Sequence, residues 1–157
     1  MLFRSMNMLC DIGNGTMNIM FINDRKPILD RMFTEKYGTH QCMLAVRENV
    51  MRTHHATVDD AIINRVLRFG TADIREDYLT TIRETAAEYV GGIFRILREH
   101  EYDPALMRLH VLGGGGCLVR NFGAYDAGRV TIYEDICATA KGYEFLCEQA
   151  LRRGVGG

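Results

Sequence analysis

Two glycine-rich turns, each closing a short apolar run, constrain this chain more than any other feature. The first run reads Leu9-Cys10-Asp11-Ile12-Gly13-Asn14-Gly15-Thr16, and the second, far downstream, reads Val111-Leu112-Gly113-Gly114-Gly115-Gly116. The first predicts a strand over 7–12 that delivers the Asp11 carboxylate to a tight hairpin, because Asn and Gly tolerate positive φ. The second predicts a strand over 107–112 that stops at a turn without Cβ atoms and leaves room beside it for something flat. A wound sheet can bring two such strand ends together, and ligands in open α/β sheets favour the carboxyl ends of strands.

The hydrophobic pattern fills in the rest. Residues 16–22 alternate as a returning strand, 23–26 make a second turn, and 28–37 read as a third strand ended by Gly38, giving an antiparallel meander. From Thr39, placed as an N-cap, the period changes. Met43, Leu44, Val46, Val50 and Met51 form one helical stripe, and residues 57–60 cap a second helix carrying Ile62, Ile63, Val66 and Leu67. Residues 68–75 read as a loop. The longest helix, 77–100, repeats apolar residues such as Leu79, Ile82, Ala86, Tyr89, Ile93 and Leu97 at three- and four-residue spacing. Gly91-Gly92 inside it costs roughly 1 kcal/mol per glycine, so close packing against the sheet is the expected reason for the pair. After the strand at 107–112 come a brief helix at 117–122, a strand at 130–133 and a last helix at 136–153 capped by Asp135. The fold class is therefore α/β, a β-β-β-α-β-α-β-α mixed sheet flanked by helices. One domain spans 6–153, with a small helical insert at about 39–72.

Charge and cysteine usage exclude several function classes. A net charge of −1 lacks the basic stripe that nucleic acid demands, so no direct nucleic-acid contact is expected. No run approaches the ~20 apolar residues that span a bilayer, and no membrane partner is expected. Five cysteines without a CxxC pair read as reduced thiols of a cytoplasmic protein rather than a disulfide frame or zinc site. His54-His55 reads as part of a solvated loop, and His110 as a strand histidine with satisfied partners. Cys117 sits at a helix start, a position that lowers a thiol pKa, although packing is its expected role.

The chemistry follows from the turns. Gly13 and Gly15 expose backbone N–H groups of the kind that bind phosphate oxygens, Thr16 offers a hydroxyl, and Asp11 can hold Mg²⁺ through water. Alone, the first motif is equally a plain Asn-Gly hairpin, and the second a packing device between helix and strand. Both together, in this order, point to a nucleotide.

The chain resembles the second half of a bacterial actin-like ATPase of the plasmid-partition ParM/StbA kind, in the actin, sugar-kinase and heat-shock-chaperone superfamily. Residues 11–16 are similar to that superfamily's second phosphate motif and 109–117 to its adenosine motif. Thr139-Ala140-Lys141-Gly142 resembles its second connecting segment. The resemblance implies a ribonuclease H-like, actin-type ATPase domain that takes ATP or ADP with Mg²⁺. Asp11 would position the metal, Gly13, Asn14, Gly15 and Thr16 would meet the phosphates, and Gly113, Gly114 and Gly115 would border adenosine. The insert would serve filament contacts and closure on the adenine side, and the whole protein would self-associate into filaments that segregate plasmid DNA. Such proteins carry a second Asp-x-Gly hairpin and the water-polarising residue in a first half, which nothing here supplies. No catalytic residue is therefore assigned, and the chain alone is expected to hydrolyse ATP negligibly. Two other readings stay open: a fragment of a small-molecule kinase from the same superfamily, or a non-enzymatic interaction module with this fold.

Overall fold

The computed structural model describes residues 6–135 and Lys141, and nine elements run through them. In chain order these are β1 (Met6–Ile12), β2 (Met17–Asn23), β3 (Lys26–Glu35), α1 (Thr39–His54), α2 (Asp60–Phe69), α3 (Glu76–Glu99), β4 (Arg108–Leu112), α4 (Gly116–Phe122) and β5 (Val130–Ile132). The five strands form one mixed sheet in the order β3-β2-β1-β4-β5. The β1–β2 and β2–β3 pairs are antiparallel, whereas β1–β4 and β4–β5 are parallel. Three helices thus intervene between β3 and β4, as a parallel partner for β1 requires a long crossover. The last helix expected at 136–153 and most of the segment 139–142 lie outside the described residues; Lys141 Nζ pairs with the Asp135 carboxylate.

Alternation decides which face of the sheet is covered. Met8, Cys10 and Ile12 from β1, Met17, Ile19 and Phe21 from β2, and Leu109 and Val111 from β4 are all at most 1% exposed. The helices meet this face with Val46 and Val50, Ile63 and Val66, and Ile82, Ile93 and Leu97, all in one hydrophobic core. Each such side chain withdrawn from water contributes on the order of 1.5–3 kcal/mol. Segment 39–72 therefore shares its core with the sheet.

Local signals set the element ends. Asp24 and Arg25, at φ 51° and 62°, make the two-residue turn whose twist suits a hairpin. β3 starts at Lys26 and ends at Glu35, two residues earlier at each end than the alternation predicts, and Pro27 is tolerated because β3 is an outer strand. The N-cap of α1 is Gly38, with Thr39 already helical; the Gln41 side chain accepts the Gly38 N–H at 2.9 Å. Asp59 caps α2 by accepting the Ala61 N–H at 2.7 Å. α2 continues through Arg68 and Phe69, which the sequence pattern places in a loop, because the stop signal is Gly70 in a left-handed conformation, φ 80°. Gly92 does not pack on the sheet: a Cβ there would lie 2.0 Å from the Tyr37 hydroxyl oxygen. Gly91 faces outward, with nothing within 4 Å of where its Cβ would be.

Candidate nucleotide cleft

Because β1 and β4 run parallel, with Asp11 opposite Leu112, their two glycine turns leave the same edge of the sheet. They also touch. The Gly115 N–H donates to the Ile12 carbonyl at 2.9 Å. Gly113 has φ 82°, and a Cβ there would lie 2.5 Å from both Asp11 Oδ1 and the Ile12 carbonyl oxygen. At Gly115 a Cβ would meet Ile12 Cγ2 at 2.2 Å. The second turn thus depends on its own missing side chains, by conformation at 113 and by close approach at both positions.

The first turn is held differently, and here the structure corrects the sequence reading. None of Gly13, Asn14 and Gly15 adopts positive φ; among the described glycines only Gly70 and Gly113 do. A Cβ at Gly15 would meet nothing within 4 Å, and one at Gly13 only the Thr16 carbonyl oxygen at 3.5 Å. Restriction falls instead on Gly38, where a Cβ would lie 2.4 Å from the Asn14 oxygen and 2.7 Å from the Gly13 oxygen. Across that contact Thr39 N–H donates to the Gly13 carbonyl (3.0 Å) and His40 N–H to the Asn14 carbonyl (2.8 Å). Gln41 Nε2 donates to the Gly15 carbonyl (3.1 Å). The Gly13 amide is not open to a ligand, since it donates to the Thr16 carbonyl at 2.9 Å. The amides of Asn14, Gly15 and Thr16 have no acceptor among the described residues.

A cleft of about 670 Å³ opens where the turns meet, lined by Gly13, Asn14, Gly113 and Gly114. That volume falls in the roughly 300–1,000 Å³ range of small-molecule sites. Asp11, Gly15, Thr16 and Gly115 do not line it; Asp11 stands beside Gly113, Thr16 is exposed, and Gly115 is buried on Ile12. No sequence motif marks the opposite wall. It comes from Asn64, Leu67, Arg68 and Phe69 of α2, with Arg120, Tyr133 and Glu134. Residues three and four apart share a helix face, so extending α2 to Gly70 would have exposed this signal. Phe69 is 61% exposed and flanked by the Arg65 and Arg68 guanidiniums at 5.7 and 5.5 Å from its ring centre. Arg120 pairs with Glu134.

The side chains limit the chemistry. Among the described residues no group of three His, Cys, Asp or Glu could hold a metal on its own. One carboxylate, Asp11, suits Mg²⁺ that arrives on phosphate oxygens and keeps part of its water shell. Burial pushes the Cys117 thiol up, and the opposing Arg120 charge and Leu118 amide do not overcome it; the helix start does not activate this thiol. Its Sγ instead donates to the Gly114 carbonyl at 3.2 Å. His110 is satisfied at both nitrogens, by the Tyr133 hydroxyl and Asn7 Oδ1, each at 3.1 Å, and burial lowers its pKa. His54 is no loop residue: it ends α1, stacks on Tyr78 with ring centres 4.1 Å apart and bonds Thr81 Oγ1 at 2.8 Å.

No protein-family model matches the chain, and no curated protein matches it in sequence. Solved structures do match. An archaeal actin homolog superposes with TM-score 0.64 at 19% identity, over 93% of this chain and 49% of its own. A 15-stranded ParM filament from Clostridium botulinum gives TM-score 0.66 at 14% identity, over 95% and 47%. Bacillus thuringiensis ParM with ADP gives 0.59 at 12%, over 84% and 42%; the same protein has been solved with AMPPNP and with ATP. The chain spans about half the length of the structures it matches. At such identities the likeness is one of fold: the fold is actin-type, matched over about half of each solved structure. Among the described residues no helix is long and apolar enough to cross a membrane.

Proposed function

We propose that this chain is the nucleotide-binding half of an actin-like ATPase that assembles into filaments and segregates plasmid DNA. One observation carries the reading: parallel β1 and β4 set two glycine turns, bonded to each other through Ile12 and Gly115, against a single cleft. The ADP-, AMPPNP- and ATP-bound neighbours of the same fold support a nucleotide as its occupant. In this reading Asp11, whose carboxylate stands beside Gly113, would hold Mg²⁺. The loop of Gly13, Asn14, Gly15 and Thr16 meets the β- and γ-phosphates with the amides of its last three residues and the Thr16 hydroxyl. Gly113 and Gly114 border adenosine, with Gly115 fixing their position on Ile12. Bound Mg²⁺ would neutralise charge across the phosphate oxygens, and Arg68 adds positive potential from the far wall.

The second phosphate hairpin and the water-polarising group belong to a first-half domain, the missing partner. A loss of ~4 kcal/mol of contacts weakens binding about a thousandfold, so the chain alone binds weakly and is inactive. Segment 39–72 is the insert subdomain facing filament neighbours and the adenine side. The compartment in this reading is the cytoplasm, and a net charge of −1 fits action through assembly rather than through contact with DNA.

The test is to heat the chain with Mg-ATP, with ATP in a chelator and with neither, and to follow phosphate release. A rise in Tm that requires Mg²⁺ and vanishes in Asp11→Ala, with release at the buffer rate, supports the reading. No effect of Mg-ATP at any concentration overturns the nucleotide site. Rapid Mg²⁺-dependent turnover that Asp11→Ala abolishes overturns the half-site.

A further inference from the structure

A trans peptide is planar, so its carbonyl and the following amide point in opposite directions. Three successive carbonyls of the first turn, those of Gly13, Asn14 and Gly15, are all held from α1, by Thr39 N–H, His40 N–H and Gln41 Nε2. The amides of the same three peptides belong to Asn14, Gly15 and Thr16, and they must point away from α1. Two of the three restraints are backbone groups that almost any residue would supply. The third comes from a side chain, and only there does residue type matter.

Resting on the nucleotide site proposed above, we infer that Gln41 is a positioning residue. It completes a three-point clamp that turns three consecutive loop amides toward a bound phosphate chain. Its amide is used in both directions: Nε2 donates to the Gly15 carbonyl at 3.1 Å while Oε1 accepts the Gly38 N–H at 2.9 Å. A carboxamide carries donor and acceptor side by side on one flexible stem, and Asn would be one methylene too short. Glutamate would keep the Gly38 bond and lose the Gly15 bond. The clamp is itself braced from α3, where the Tyr89 hydroxyl donates to the Gly38 carbonyl at 2.7 Å. The positive end of α1 lies against the clamped carbonyls, and bonds in series polarise one another. The outward amides become better donors for it. α1 contributes to anion binding by aiming the loop, since its first two amides, those of Thr39 and His40, are already engaged by the loop carbonyls.

Amide NMR spectra of the 157-residue chain separate this role from simple helix capping. Mg-ATP and adenosine are titrated into the unsubstituted chain, Gln41→Ala and Gln41→Glu. Both variants are expected to shift the Thr16 amide resonance before any ligand is added. Both should weaken Mg-ATP about fivefold, the order of one lost hydrogen bond, with adenosine binding unchanged. Equal weakening of Mg-ATP and adenosine, or none, overturns the positioning role while leaving the nucleotide site standing. Gln41→Glu with the affinity of the unsubstituted chain also overturns it, by assigning the effect to the Gly38 bond. An unsubstituted chain that ignores Mg-ATP overturns the proposed function itself.

Discussion

The two glycine turns look alike in sequence and are built by opposite means. The turn at 113–116 is shaped from within: Gly113 takes a left-handed conformation, and Gly113 and Gly115 leave no space for a Cβ against Asp11 and Ile12. The turn at 13–16 is shaped from without. Its glycines have ordinary φ and open surroundings, while Gly38, Thr39, His40 and Gln41 supply the restraint. A glycine therefore marks a tight backbone only when something stands where its side chain would go, and that something can be distant in sequence.

Substitution offers ways to break this contrast. Gly113→Ala should be the most damaging, because a left-handed alanine costs roughly 1–2 kcal/mol and the backbone clash adds about 1–3 kcal/mol; urea unfolding measures the sum. Gly38→Ala meets the Asn14 backbone without conformational strain, so a loss of about 1–3 kcal/mol is expected. It should weaken Mg-ATP more than adenosine, although residue 38 lies outside the turn itself. Tyr89→Phe removes a buried hydroxyl from the Gly38 carbonyl and should lower stability by about 1 kcal/mol. Gly15→Ala and Gly114→Ala should lie within about 0.5 kcal/mol of the unsubstituted chain, since neither site is crowded or left-handed. A large loss at Gly15 would mean that the first turn is self-shaped after all.

The same contrast explains what the sequence made legible. Alternation at Met8, Cys10 and Ile12, and at Met17, Ile19 and Phe21, identifies β1, β2 and their buried face because neighbouring residues decide it. The three- and four-residue spacing from Leu79 to Leu97 does the same for α3. Gly13, Asn14, Gly113 and Gly114 read as turns because they punctuate strand ends, and the sheet brings both turns to one cleft, with Asp11 beside Gly113 rather than in the lining. What escaped depends on contacts across the chain. Gly38 reads as a strand stop until Asn14 is placed against it, and Gln41 as one more polar helix residue until Gly15 is. Arg68 and Phe69 read as loop when the helix is ended at Leu67, and the far wall then goes unseen. His54 reads as a loop residue because its partners, Tyr78 and Thr81, sit on another helix.

Ile12 serves both turns at once. Its carbonyl receives the Gly115 amide, its side chain fills the volume a Cβ at 115 would need, and its own peptide opens the loop at Gly13. It works as a common axle, since the residue that ends β1 is also the one on which the second turn rests. The spacing of the two turns is thereby written into one side chain and one carbonyl, and any change at residue 12 reaches both.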